Sequence, residues 1–305
     1  MTLWNKTEPL LRAGEVVFES SETKAQLIQI FESVQVVQPQ VHCITNYVTA
    51  GDCANALLAV GASPVMADAP EEAADIAAKA DAVVLNLGTL SSSKLKAMVA
   101  AGKTANHFNR PVILDPVGAG ASSWRNNSAG KLLEALQVSV IRGNVSEIIA
   151  LEGSKSAARG VDASVLDQPD TLEKLMRVAQ RLAQRTGAVV VMSGAVDVAT
   201  DGKTTCILQN GHPSMGRITG TGCMLSATTA AYVAASPEAV LEAAACATAV
   251  MGMAGELAAQ KAKAAGLGTG SLRVFLMDAL SMIDVKTFET MLRLQKAAGK
   301  GGRYL

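Results

Sequence analysis

From Val41 onward, short runs rich in β-branched residues alternate with longer alanine-rich stretches of helical length, and each apolar run stops at polar or glycine residues. Strands are expected at Val41–Thr45, Ser63–Met66, Ala82–Leu87, Pro111–Asp115, Val138–Arg142 and Ala188–Met192. Helices are expected at Gly51–Val60, Pro70–Ala80, Ser91–His107, Trp124–Gln137 and Asp170–Arg185. Alternation of this kind predicts a mostly parallel sheet covered by helices on both faces. Between Ser193 and Gly211 the rhythm changes to alternating positions with turn residues, which predicts an antiparallel edge hairpin. Beyond Cys223 every segment reads as helix. Residues 1–40 read as an N-terminal helical extension, and residues 41–305 as one domain with no linker or repeat.

Composition narrows the function classes. The 305 residues are 49% hydrophobic with zero formal net charge, enough for a large core and without the charge bias that attracts nucleic acid or anionic lipid. Only 3% of residues are aromatic, few for stacking bases. The five cysteines form no CxxC pair and no Cys/His cluster, which points to reduced cytoplasmic thiols. The apolar stretch Ala243–Gly255 is shorter than the roughly 18 residues of a membrane span and is bracketed by Glu242 and Glu256, so a buried helix is expected rather than a membrane segment. A small-molecule ligand is the partner to expect.

Ligands of open parallel sheets bind beyond the carboxyl ends of the strands. The polar residues expected there are Asn46, Asn86, Asp115, Arg142, Asn144 and Ser193. The turn Gly220-Thr221-Gly222-Cys223 precedes a long helical run, so its N–H groups and the helix dipole make an anion cradle. Cys223 stands at that helix start, where a lowered thiol pKa is expected; it fits a nucleophile, a weak base or a small packed residue. Asp115 ends an apolar strand before the glycine loop Gly118–Gly120, a position suited to a metal-phosphate contact, with capping of the next helix as the alternative. Asn144 and Glu147 follow a strand end and fit either a capping box or, with Arg142, a phosphate and Mg²⁺ site. GKT occurs at Gly102–Thr104 and Gly202–Thr204, but P-loop spacing needs glycine where the chain has Ala97 and Asp197, so both are expected to be surface turns. His42, His107 and His212 lack metal spacing; His42 is expected to be hydrogen-bonded near a strand end.

Taken together, GTGC, ILDPVGAG at Ile113–Gly120 and IRGNVSE at Ile141–Glu147 resemble the hydroxyethylthiazole kinases of the ribokinase-like superfamily. Val41–Ala73, Leu85–Leu90 and Val189–Gly202 extend the resemblance over nearly everything after residue 40. It implies the ribokinase-like three-layer α/β fold and MgATP-dependent phosphorylation of the hydroxyl of 4-methyl-5-(2-hydroxyethyl)thiazole, a salvage step toward thiamine. It also implies a homotrimer with sites at subunit interfaces. Residue by residue, it places Met66, Gly220 and Asn46 at the substrate, Arg142 and Ser193 with Asn144 at ATP, and Asp115 and Glu147 near Mg²⁺. Gly220, Thr221, Gly222 and Cys223 form the catalytic turn, with Cys223 beside the acceptor hydroxyl. Cysteine at 223, where many ribokinase-like relatives carry Asp, favours the thiazole kinases. The chain departs from the family in GTGS at Gly268–Ser271, where GPGS is usual, and in its longer N-terminus. Other readings are a kinase for another vitamin precursor, a non-catalytic thiazole binder and an ATP-dependent dehydratase on the same fold.

Overall fold

Period-two alternation explains why the central strands are apolar on successive positions up to their polar carboxyl ends: each sends alternate residues into a different helical layer. In β3 (Ala82–Asn86), Ala82 and Val84 face one core while Val83 and Leu85 face the other; in β4 (Val112–Asp115), Ile113 and Leu114 divide in the same way. The computed structural model describes residues 21–153 and 169–298. Its nine-stranded sheet adds β1 (Gln40–Ile44), β2 (Ser63–Val65), β5 (Val140–Asn144), β6 (Val189–Ser193), β7 (Asp197–Thr200), β8 (Thr204–Leu208) and β9 (Leu294–Ala298), in the order β2-β1-β3-β4-β5-β6-β7-β8-β9. Strands β1 to β6 pair in parallel, and β6 to β9 pair antiparallel. The α/β fold with an antiparallel edge is therefore as the residue pattern predicts.

One face carries α1 (Ser21–Val37), α2 (Ala50–Ala59), α8 (Thr221–Ala235), α9 (Val240–Ala264), α10 (Thr269–Met282) and α11 (Val285–Met291). The other carries α3 (Ala73–Lys79), α4 (Ser92–His107), α5 (Ser123–Ala135), α6 (Val145–Glu152) and α7 (Pro169–Thr186). α9 is long and apolar enough to cross a membrane by composition, but 78% of its most apolar window is buried inside the fold, so it is a core helix. Within the N-terminal extension, α1 buries Leu27, Ile30, Phe31 and Val34 at helical spacing, and Phe31 stacks on Phe288 with ring centroids 4.8 Å apart. Residues 1–20 of that extension lie outside the described residues.

Two expectations need correction. The chain beyond Cys223 is not all helix: β9, with the sequence LQKAA, pairs with β8 although it has no β-branched residue. Its position beside an otherwise open edge outweighs its weak strand propensity, and Lys296 Nζ donates to Glu242 Oε1 at 2.9 Å to fasten it to α9. Gly102–Thr104 is not a surface turn but part of α4, where buried Gly102 lets Leu136 pack so closely that a Cβ would overlap it. Gly202, by contrast, turns β7 into β8 with φ +87°.

Candidate active site

The same alternation that divides the core also gathers the polar strand ends. Asn86, Asp115, Arg142 and Ser193 each continue the series of side chains facing α8 and α9, and Asn86 is the register partner of Asp115. α8 enters above them. Its N-cap, Gly220, has φ +86°, and Thr49 lies so close that any side chain at 220 would overlap it. Met224 N is the first amide to bond back along the chain, to Gly220 O at 2.8 Å, so the N–H groups of Thr221, Gly222 and Cys223 are left for an acceptor outside the helix. The Arg142 guanidinium lies against Gly222 in a space that a Cβ would fill.

Asp115 is fully buried. Its Oδ2 accepts from Asn86 Nδ2 and from Ser226 Oγ, both at 2.7 Å, whereas Oδ1 has no partner among the described residues. Burial pushes its pKa up to about 6 against the opposing pull of Arg142 and the two donors, with Glu147 adding to the rise. Capping the following helix is not its role, because Ser122 accepts from Arg125 N and caps α5.

Cys223 Sγ receives Asn86 Nδ2 at 3.2 Å and Asn46 Nδ2 at 3.3 Å. The expected lowering of the thiol pKa does not occur. Burial, followed by the nearby Asp115 carboxylate, raises it, and together they outweigh the hydrogen bonds from Thr49, Asn86 and Asn46.

The capping box expected as one reading of Asn144 and Glu147 is present: Asn144 Oδ1 accepts from Glu147 N at 2.9 Å and Glu147 Oε2 from Asn144 N at 2.8 Å. Glu147 Oε1 also accepts from Gly118 N at 2.8 Å, so Glu147 anchors the glycine loop and brings its charge near Asp115. Arg142 donates to Ser193 Oγ at 2.7 Å, while its buried Nε has no partner among the described residues. Just beyond Ser193, Asp197 accepts from Gly194 N at 2.9 Å, and burial lifts its pKa to about 6.

Asn46, Asp115, Arg142, Ser193 and Gly220–Cys223 therefore converge. Met66 stands apart from this network, just past β2 and partly exposed. The loop behind it is held by His42 Nε2 against Ala67 O at 2.7 Å, the bond expected of His42, and by Lys94 against Asp68 at 3.2 Å. Burial keeps the His42 pKa low. Ser226 and Thr49 are the participants that sequence reading passed over. Ser226 lies three residues after Cys223, on the same helical face, which is the only signal it gives. Among the described residues no three His, Cys, Asp or Glu side chains converge on a point. The orphaned Asp115 Oδ1 instead offers one hard oxygen ligand beside an arginine with a free N–H and an open helix N-terminus, a set that fits Mg²⁺ carried with phosphate oxygens.

The profile of the hydroxyethylthiazole kinase family matches residues 31–286. The chain belongs to the hydroxyethylthiazole kinase family. It is 46% identical over 266 residues to the hydroxyethylthiazole kinase of Clostridium botulinum (strain Alaska E43), covering 87% of this chain and 95% of that one. With the Desulfovibrio desulfuricans hydroxyethylthiazole kinase it shares 46% identity over 264 residues, covering 84% and 93%. The solved hydroxyethylthiazole kinase structure from Pyrococcus horikoshii superposes with a TM-score of 0.81 at 38% identity, covering 90% of this chain and 99% of that one. A Staphylococcus aureus pyridoxal kinase, at 17% identity and a TM-score of 0.52, shares the ribokinase-like fold alone. Hydroxyethylthiazole kinase activity in thiamine biosynthesis, with ATP as co-substrate, is thereby assigned to this chain, and the binder and dehydratase readings fall away.

Proposed function

We propose that phosphoryl transfer to the hydroxyl of hydroxyethylthiazole occurs between Asp115, Arg142 and the N–H groups of Gly220–Cys223. The observation that carries this assignment is the pair of buried atoms without a partner among the described residues, Asp115 Oδ1 and Arg142 Nε, beside the open N-terminus of α8. Arg142, Ser193 and Asn144 take the nucleotide side, and Asn46, Met66 and Gly220 the thiazole side. Mg²⁺ would be held by Asp115 Oδ1 with water completing its shell near Glu147, and would neutralise charge on the phosphate oxygens.

The transferring group of a loose transition state spreads negative charge over its oxygens, so N–H groups already aimed at that position stabilise it without reorganising. The acceptor alcohol then needs little deprotonation. Cys223, whose raised pKa keeps it a neutral thiol at pH 7, lines the acceptor position and does not need to act as base.

Homotrimeric assembly with sites at subunit interfaces is supported by exposed Tyr47, Val48 and Met66 around the β1 and β2 strand ends. A cytoplasmic location is supported by five cysteines that are all free thiols. Steady-state kinetics with MgATP and hydroxyethylthiazole test the residue roles. Cys223→Ala is expected to lower kcat by less than about 10³, the middle of the range for a lost acid or base. Arg142→Lys is expected to raise the ATP KM with little change in the thiazole KM. A folded Cys223→Ala enzyme without turnover would instead make the thiol an essential base or nucleophile.

A further inference from the structure

The four hydrogen-bonding positions of the Asn86 amide are all filled. Oδ1 accepts from Gly88 N at 2.9 Å and Asn46 Nδ2 at 3.1 Å, while Nδ2 donates to Asp115 Oδ2 at 2.7 Å and Cys223 Sγ at 3.2 Å. A backbone N–H can only donate, so Gly88 decides which end of the amide is oxygen and removes the usual ambiguity of an asparagine flip. The approach is close: a Cβ at 88 would stand 2.9 Å from Asn86 Oδ1 and 2.8 Å from Asn46 Cβ. With the oxygen fixed, the NH₂ must face the carboxylate and the thiol.

Asn46 is pinned in the same manner. Its Oδ1 accepts from Thr49 N at 3.1 Å and Thr49 Oγ1 at 3.0 Å, which turns its Nδ2 toward Asn86 and Cys223. Ser226 Oγ, from the opposite side, gives Asp115 Oδ2 its second donor. A carboxylate held through one oxygen by donors from a strand and a helix has its plane fixed, and its other oxygen is aimed. That oxygen is the unpartnered Oδ1.

We propose that Asn86 is a positioning residue for phosphoryl transfer. Its amide, clamping Asp115 together with Ser226 while also bonding Cys223, fixes the Asp115 Oδ1 direction relative to the Cys223 thiol that lines the acceptor position. This deepens the site assignment above and rests on Asp115 being part of it. The mechanism requires only positioning, since Asn86 has no free group with which to touch substrate. Its action must pass through the groups it holds, Asp115 and Cys223 by its NH₂ and Asn46 by its oxygen.

A double-mutant cycle with Asp115 tests this, read by kcat, thiazole KM, and Mn²⁺ binding to the enzyme with a non-hydrolysable ATP analogue, followed by the paramagnetic resonance of free Mn²⁺. Asn86→Ala is expected to lower kcat about 10- to 100-fold, as for a lost bond to a charged group, to shift the thiazole KM less than about threefold, and to weaken Mn²⁺ binding. In an Asp115→Asn background the same change is expected to cost less than about threefold in kcat. Ser226→Ala, which removes the second clamp without touching the strand, should reproduce the weakened Mn²⁺ binding and serves if Asn86→Ala does not fold. Equal losses in both backgrounds, or Mn²⁺ binding unchanged in both Asn86→Ala and Ser226→Ala, would overturn the proposal. An Asp115→Asn enzyme with undiminished kcat would instead remove the site assignment beneath it.

Discussion

Asp115 is buried with two donors on one oxygen and, among the described residues, none on the other, and burial lifts its pKa from 3.8 to about 6. A carboxyl that binds its proton more tightly when folded than when unfolded opposes folding once ionised. Its cost is absent below pH 3.8, grows as pH rises toward 6, and is complete above that. Asp115→Asn is therefore expected to raise thermal stability at pH 8 by roughly 1–3 kcal/mol, with the gain shrinking between pH 6 and pH 4, while kcat falls about 10²-fold or more. Melting curves of both proteins at pH 4, 6 and 8, beside turnover, check this; a destabilised Asp115→Asn at pH 8 would contradict the burial argument. The acid itself is legible in the sequence because an apolar run ends on it. Ser226 is not, since a serine in an alanine-rich helix reads as filler until the helix is docked. Cys223 shows the same limit from the other side: its helix-start position is visible in the chain, but the burial and neighbouring carboxylate that set its pKa arise only from tertiary packing.

α8 needs glycine at two positions of its first turn for different reasons. Gly220 requires the left-handed conformation and leaves no room beside Thr49; Gly222 has ordinary helical geometry and leaves no room beside Arg142. In Gly222→Ala the new methyl must push the guanidinium aside, and that group is the flexible end of a side chain, so the fold should survive while phosphate contacts suffer. The expected outcome is a melting temperature within a few degrees of the parent and an ATP KM raised about tenfold or more; an unchanged ATP KM would place Arg142 outside the nucleotide site. Both glycines were readable in the sequence as an anion turn, and the capping box of α6 as a three-residue spacing, because such signals are local. β9 was unreadable for the converse reason. Its LQKAA sequence lacks strand formers, and only the open edge of β8 makes it a strand.

At the scale of the whole molecule, the two ends of the sheet are finished differently. β9 forms one edge of the described sheet, whereas β2 at the other is three residues long and carries Pro64, which has no N–H to offer another strand. Strand addition at the β2 edge is thereby discouraged, yet Tyr47 at 80% exposure and Val48 at 56% stand just beyond β1, and Met66 just beyond β2. Apolar side chains placed this way offer a surface for side-chain packing against a partner. In the proposed homotrimer these residues would lie at the thiazole side of the site, so that assembly and substrate binding would share them. The proposed homotrimer, if formed through this face, has a consequence that a monomeric enzyme would not show. Val48→Asp, placing a charge in the contact, is expected to shift the mass measured by light scattering from trimer to monomer and to raise the thiazole KM about tenfold or more. The ATP KM should remain within about threefold, because Arg142 and Ser193 lie on strands well inside the sheet. If Val48→Asp remained trimeric with an unchanged thiazole KM, the interface would lie elsewhere. If it became monomeric but retained full affinity for thiazole, each subunit would hold a complete site, and Met66 would then have to reach the acceptor within its own chain.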